Sequence, residues 1–267
     1  MLKSHITGFA LFILSFACFA EPDITSPGPE LPTFPENVNT LPAGNGYIEL
    51  SAFGYVGSDM ESPGMFNTPF LLEYGATDNI ELRIYDNGFA WNGTNKSYSG
   101  FQPPTFGALI HVMDEQSDIF LPAIAIEPLV ATNIFGNSNT RGGVQPIFLF
   151  TFVNTLPFEI EFNYTLGTIR AINSLNENYW QFEFQWALQK EVFECLQLFI
   201  HGSYNSVNLS SQSLPALQNT YATEESVIGA GFIFTANERL AFYGQISGGV
   251  NPYTPSIVSW GGFAISF

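Results

Sequence analysis

Basic residues are the scarcest class in this 267-residue chain. Seven lysines and arginines stand against 24 aspartates and glutamates, which gives a formal net charge of −17. Such a chain repels the phosphate backbone of a nucleic acid, so the composition argues against nucleic acid as a partner. Charged residues of both signs make up only 12% of the chain, whereas an average soluble domain has roughly 25%. The sequence therefore lacks the charge that solvates the surface of a soluble protein.

Long apolar runs are missing from the body of the chain. A transmembrane helix needs about 20 consecutive apolar residues, and no such run follows residue 20. Only two cysteines are present, which excludes a dense disulfide framework. Disorder is excluded as well, because 46% of the residues are hydrophobic and 16% are aromatic. The 27 phenylalanines and 24 glycines instead favour β-sheet with one apolar face.

Most of the chain alternates with a period of two, which is typical of strands that have one apolar and one polar face. In residues 180–188 large apolar side chains occupy every second position, and glutamine and glutamate occupy most positions between them. The pattern predicts about twelve strands, at 46–56, 68–76, 79–87, 105–113, 119–131, 144–153, 157–168, 178–189, 194–204, 226–235, 239–249 and 257–267.

The connections between these strands alternate in length. Five are short, at 76–79, 114–118, 154–157, 190–193 and 235–239, and the others are long loops. Short periplasmic turns at one end and long extracellular loops at the other are typical of an outer-membrane β-barrel. We therefore predict an all-β fold, a closed antiparallel transmembrane β-barrel of about 12 strands in the bacterial outer membrane. A secreted β-sandwich is the alternative, but it needs charged outer faces that this chain lacks.

The N-terminal part of the chain precedes this barrel. Residues 1–20 have the parts of a secretory signal peptide, with Lys3 as the positive charge, an apolar stretch at 6–16 and Ala20 before the cleavage point. Residues 21–45 contain six prolines, so we predict an extended segment that lies in the periplasm or forms a partial plug. Residues 46–267 are the predicted barrel domain.

Two stretches resemble a known family. Residues 40–50 read TLPAGNGYIEL and residues 72–83 read LEYGATDNIELR. They are similar to the first strand and hairpin of the outer-membrane family named after the MetA pathway of phenol degradation. The last eight residues, WGGFAISF, resemble the terminal strand that the outer-membrane assembly machinery reads, here ending in Phe267. The resemblance implies a transporter-like channel that passes or binds small molecules, aromatic or hydrophobic ones among them.

The polar strand faces line the lumen if the aromatic faces meet lipid. Charged residues in or beside the strands are the predicted lumen-lining residues, namely Glu49, Glu73, Glu81, Arg83, Glu127, Glu159, Glu161 and Glu183. Such charges are costly in hydrocarbon but are tolerated in a wet or well-paired lumen. Two alternatives stay open: a cation-preferring channel, open or gated, or a packed polar interior in which Arg83 satisfies several carboxylates.

No motif in the sequence points to an enzyme, a cofactor or a metal. His201 and Ser203 share a strand face, but two residues of strand separate them by roughly 7 Å, beyond hydrogen-bond reach. We predict no catalytic residue, no cofactor and no metal site. The predicted partners are the lipid bilayer, lipopolysaccharide, the assembly machinery and a small-molecule solute. A structural or adhesive surface barrel is the first alternative, and a lipid-acting enzyme is the second.

Overall fold

The computed structural model describes residues 35, 37–57, 64–86, 88–92, 100–101, 103–132, 134, 144–172, 178–206, 224–251 and 254–267. The predicted signal peptide at 1–20 and the first part of the proline-rich segment, 21–34, lie outside the described residues. No helix in the described part of the chain has the length and apolarity to cross a membrane.

Fifteen strands run through the described residues. They are β1 (Gly46–Val56), β2 (Met65–Asn67), β3 (Phe70–Thr77), β4 (Ile80–Asp86), β5 (Phe89–Asn92), β6 (Gly100–Phe101), β7 (Thr105–Met113), β8 (Ala123–Ala131), β9 (Gln145–Leu156), β10 (Ile160–Ile172), β11 (Asn178–Phe193), β12 (Leu196–Asn205), β13 (Glu225–Asn237), β14 (Leu240–Gly249) and β15 (Val258–Ser266). Twelve of them are long, and each corresponds to one predicted strand. Short 3-10 turns at Ser117–Ile119 and Pro157–Glu159 lie between long strands.

The twelve long strands form a ring. They pair antiparallel in the order β1, β3, β4 and then β7 to β15, and β15 pairs with β1 to close the sheet. At this seam Gly46 and Phe267 exchange two backbone hydrogen bonds of 2.8 and 2.9 Å. Closure satisfies the edge groups that hydrocarbon cannot solvate. The predicted closed antiparallel barrel of 12 strands is therefore confirmed.

The three short strands extend long strands across a break. β2 precedes β3, β5 follows β4 and β6 precedes β7, while β2 pairs with β5 and β5 pairs with β6. Pro69, Gly88 and the pair Pro103–Pro104 stand at the breaks. Proline has no N–H to donate to the neighbouring strand. Gly88 has a φ of 62°, and a Cβ on it would collide with the carbonyl oxygen of Thr68. Two of the predicted long loops, at 57–67 and 88–104, thus contain paired strands.

The two faces of the sheet are opposite in character. Outward side chains are apolar and exposed, as Leu82, Ile200 and Phe232 show with exposures of 50%, 50% and 44%. Inward side chains include many polar groups with almost no exposure, such as Thr165 and His201, both at 0%. Apolar outside and polar inside reverses the arrangement of a soluble protein and fits a barrel surrounded by lipid.

Several glycines lie directly opposite a large ring on the neighbouring strand. The pairs are Gly54–Trp260, Gly202–Trp186, Gly231–Phe199 and Gly244–Phe232. In each pair, a Cβ on the glycine would lie 2.1 to 2.9 Å from the nearest ring atom. The rings therefore cover the glycine backbone, and a side chain there would displace them. This cross-strand packing gives the abundance of glycine and aromatic residues a common structural reason.

We predict that Gly231→Ala destabilises the barrel by about 1–3 kcal/mol. The new Cβ would meet the Phe199 ring at 2.3 Å and the carbonyl oxygen of Gly244 at 2.5 Å. Gly248→Ala is the matched control, because the nearest atom to a Cβ there is 3.9 Å away. Urea unfolding in detergent micelles, followed by the gel shift of the folded band, measures both variants. Equal stability of the two would contradict the steric role of Gly231.

Candidate functional site

Arg83 is the centre of a charged cluster inside the barrel. Its Nε lies 2.6 Å from Glu81 Oε1, its Nη1 lies 3.1 Å from Glu127 Oε1, and its Nη2 lies 3.2 Å from Glu73 Oε1. Arg83 Nη1 also donates to the Tyr85 hydroxyl at 2.9 Å, and that hydroxyl donates to Glu127 Oε1 at 2.7 Å. One guanidinium is therefore shared by three carboxylates.

The strand register brings these groups together. Glu73 on β3 lies directly opposite Arg83 on β4, Glu81 lies two residues earlier on the same face of β4, and Glu127 comes from β8. All four side chains are buried, with exposures of 0 to 4%. Glu49 adds a fourth buried carboxylate on β1, at 3% exposure. Charges removed from water to this degree depend on their partners, so the cluster is sensitive to the loss of its single arginine.

The described part of the proline-rich segment, residues 35 and 37–45, enters the barrel, and we name it the strap. Val38 packs against Leu109, Ala123, Ala125 and Val153, which face inward from β7, β8 and β9. Leu41, at 0% exposure, packs against Tyr47 and Ala264 of β1 and β15. The strap therefore lies against inward side chains of β1, β7, β8, β9 and β15.

Polar contacts hold the strap at the periplasmic end. Asp78, in the short β3–β4 turn, accepts from the backbone N–H of Ala43 at 3.1 Å, and its carbonyl oxygen accepts from the Thr40 hydroxyl at 2.7 Å. His111 Nδ1 donates to the Val38 carbonyl oxygen at 2.9 Å. Gly75 permits close approach, because a Cβ there would lie 2.3 Å from the Pro42 carbonyl oxygen. The strap is therefore fastened near the ends of several strands.

Glu81 connects the strap to the charged cluster. Its Oε1 contacts Arg83, while its Oε2 accepts a hydrogen bond from the backbone N–H of Leu41 at 2.7 Å. The residue has no exposure. One carboxylate thus binds both the guanidinium of Arg83 and the backbone of the strap.

The opposite wall carries neutral polar groups and two further carboxylates. Gln185 Nε2 donates to Glu183 Oε1, and Gln189 Nε2 donates to Glu161 Oε1, each at 2.5 Å. Thr151 and Thr165 share a hydrogen bond of 2.9 Å on the adjacent strands. The inner surface is therefore strongly charged near β4 and mainly amide- and hydroxyl-lined near β10 and β11.

The structure places the predicted lumen residues in two groups. Glu49, Glu73, Glu81, Arg83, Glu127, Glu161 and Glu183 face the interior. The placement predicted for Glu159 is wrong, because Glu159 lies in the turn before β10, is exposed, and has a φ of 57°. The alternation continues through this turn in the sequence, but the left-handed backbone ends the strand face there.

His201 finds a partner that the sequence did not reveal. Its Nε2 lies 3.0 Å from the Ser247 hydroxyl oxygen, two strands away. Gly229 lies between them in the register, and a Cβ there would lie 2.3 Å from Ser247 Oγ. His201 and Ser247 have exposures of 0% and 3%, so this pair offers a substrate no access in this structure. No metal-holding group of three or more His, Cys, Asp or Glu residues occurs among the described residues.

Comparison with protein families shows that the resemblance seen in two short stretches of sequence covers most of the chain. The family model described as "Putative MetA-pathway of phenol degradation" matches residues 31–267, which include the strap and the whole barrel. The chain belongs to this family. The search of curated proteins found no match.

Two solved structures have the same fold as this chain. The COG4313 outer membrane channel from Pseudomonas putida F1 has a TM-score of 0.61 and 13% identity, and the match covers 89% of this chain and 100% of that chain. The NanC porin has a TM-score of 0.56 and 6% identity, over 82% of this chain and 98% of that chain. At these identities the likeness shows the fold alone. That fold is the channel-like barrel of Gram-negative outer-membrane proteins, and the predicted outer-membrane location is confirmed.

We predict that Arg83→Met destabilises the barrel by about 3–5 kcal/mol at neutral pH, because three buried carboxylates lose their shared counter-charge. The loss should shrink as the pH falls, since protonated carboxyls need no counter-charge. Arg239→Met is the control, because Arg239 is exposed in the β13–β14 turn; it should change stability by less than about 0.5 kcal/mol. Urea midpoints at two pH values test this prediction. A loss that is independent of pH would contradict the electrostatic reason.

Proposed function

We propose that this barrel is a gated outer-membrane channel for small solutes, and that the strap closes its periplasmic mouth. The observation that carries the proposal is the double role of Glu81, which holds Arg83 with one oxygen and the Leu41 N–H with the other. A segment that only trailed into the periplasm would have no reason to share a buried carboxylate with the barrel wall.

The burial of the inward groups supports a closed state. Near the strap, Leu109 and Ala125 have no exposure, and Glu127 has 1%. These side chains offer a solute no surface while the strap covers them, so access to this part of the inner wall requires the strap to move. This burial favours the packed alternative at the level of the strap, and a channel that includes this level requires gating.

The charge of the inner surface restricts the solute. Among the described residues, six carboxylates face inward, at Glu49, Glu73, Glu81, Glu127, Glu161 and Glu183, against one inward guanidinium, that of Arg83. Such a surface repels anions and favours cations or neutral molecules that donate hydrogen bonds. The description of the family refers to phenol degradation, and a neutral phenol carries one hydroxyl donor on an apolar ring. We propose neutral phenols, rather than phenolates or benzoates, as the solute class.

We predict that Val38→Asp opens the channel. A carboxylate at this position would be placed against Leu109, Ala123, Ala125 and Val153 without a partner, so the strap should leave the lumen. Conductance in planar bilayers and the swelling rate of liposomes in phenol should rise severalfold.

Asn39→Asp is the matched control for this variant. It adds the same charge to the strap on an exposed residue, and its flux should stay at the level of the unmodified chain. If folded Val38→Asp protein shows neither conductance nor solute flux, the barrel is structural or adhesive and the channel proposal fails.

We also predict that Glu161→Gln combined with Glu183→Gln lowers cation selectivity of the channel opened by Val38→Asp. Both carboxylates face the interior and both accept from an inward glutamine amide. The reversal potential in a salt gradient should move toward zero. Glu159→Gln, in the exposed turn, serves as the control and should leave that potential unchanged. A shift with Glu159→Gln alone would place the selective carboxylates outside the lumen.

A further inference from the structure

Three consecutive periplasmic turns carry exposed apolar side chains, and we name this set the apolar rim. Ile119 and Phe120 lie in the β7–β8 connection, Phe158 in the β9–β10 turn, and Val192 and Phe193 at the end of β11. Their exposures are 62%, 88%, 82%, 45% and 60%. The β3–β4 and β13–β14 turns instead have polar tips, with Asp78 and Glu238 among them. The exposed apolar side chains of the turns are thus concentrated between β7 and β12, while Phe267, 65% exposed, is a further exposed ring at the end of β15.

The backbone of the apolar rim is unusual at its two most exposed rings. Phe120 has a φ of 54° and Phe158 a φ of 67°, both in the left-handed region that bulky residues rarely occupy. Glycine or asparagine fits this backbone with less strain. Two phenylalanines kept in a disfavoured conformation with exposed rings indicate that the rings make a contact outside the chain.

Hydrogen bonds join the three turns into one unit. Glu115 accepts from the Thr155 N–H at 2.8 Å and from the Thr155 hydroxyl at 2.7 Å, which links the first turn to the second. Lys190 Nζ, from β11, donates to the Phe158 carbonyl oxygen at 2.5 Å, which links the second to the third. The apolar rim is therefore a continuous surface with a fixed shape.

This surface continues the face that meets lipid. The outward side chains next to it, Val112, Leu156 and Leu198, have exposures of 51%, 38% and 46%. On β11 the outward positions are apolar from Trp180 to Leu188, and Lys190 follows. Ten residues of a tilted strand rise about 25 Å, the height of the apolar band of such barrels. Lys190 thus lies at the level of the lipid headgroups, and its bond to Phe158 holds that turn at the same depth.

We propose that the apolar rim inserts into the inner leaflet of the outer membrane and anchors the barrel on one side. Its continuity with the outward side chains of Val112, Leu156 and Leu198 favours lipid over a protein partner. The exposed charges beside it, Asp118, Glu159 and Lys190, would then lie among the lipid headgroups. The insertion tilts the barrel, so that the β7–β12 side sits deeper in the leaflet and the polar β3–β4 and β13–β14 turns face the periplasm. An exposed aromatic cluster then has lipid around it instead of water.

Spin labels test this proposal directly. Single cysteines replace Phe120, Phe158 or Glu238 in a full chain whose own cysteines are changed to serine, and each variant is folded into vesicles of phosphatidylethanolamine with a minor share of phosphatidylglycerol. At positions 120 and 158 we expect collisions with dissolved oxygen to exceed those with a water-soluble nickel chelate severalfold. The label at position 238 is the control and should show the reverse.

The result that overturns the proposal is equal nickel accessibility at 120, 158 and 238, which would place the apolar rim in water. If a label at a left-handed position prevents folding, Ile119→Cys and Val192→Cys probe the same surface without that constraint. Oxygen-favoured labels at these two positions support insertion, and nickel-favoured labels contradict it.

Discussion

The backbone of a membrane-spanning sheet must find every hydrogen-bond partner within the sheet, because hydrocarbon supplies none. In this chain the pairing of β15 with β1 meets that condition and turns twelve strands into a ring. The ring gives each strand one face toward lipid and one toward the lumen. Six glutamates and Arg83 of the described strands therefore share the interior, where three of these glutamates meet the arginine and one of the three also holds the strap.

Much of this arrangement follows from the sequence. Period-two alternation is a local property, so it located all twelve long strands and showed which side chains share a face. The same alternation placed Glu73, Glu81, Arg83 and Glu127 on inward faces. Composition indicated the membrane environment, since a chain with 12% charged residues lacks the charge that keeps the surface of a soluble protein hydrated. The family match over residues 31–267 agrees with the resemblance seen in two stretches of sequence.

Other features depend on strand register and on backbone conformation, which the alternation of apolar and polar residues does not reveal. The contact between His201 and Ser247 depends on the register of β12, β13 and β14 and on Gly229, which lies between the two residues. Glu159 is in phase with Glu161 in the sequence, but positive φ values at Phe158 and Glu159 interrupt the strand face. The short strands β2, β5 and β6 were missed because proline and glycine breaks predict loops. The contacts of Val38 and Leu41 with inward side chains likewise do not follow from a proline-rich sequence, because they join residues far apart in the chain.

The closure of the ring is the central claim, and a crosslink between its first and last strands tests it most directly. Ile48 and Ile265 face each other across the seam, both outward. Cysteines at these two positions should react with a short thiol crosslinker within one chain, in lipid vesicles, while the folded band is retained. Cysteines at Ile48 and Ile200, on distant strands, should not react with each other in the same way. Failure of the 48–265 pair to crosslink, or crosslinking only between two molecules, would contradict a closed barrel.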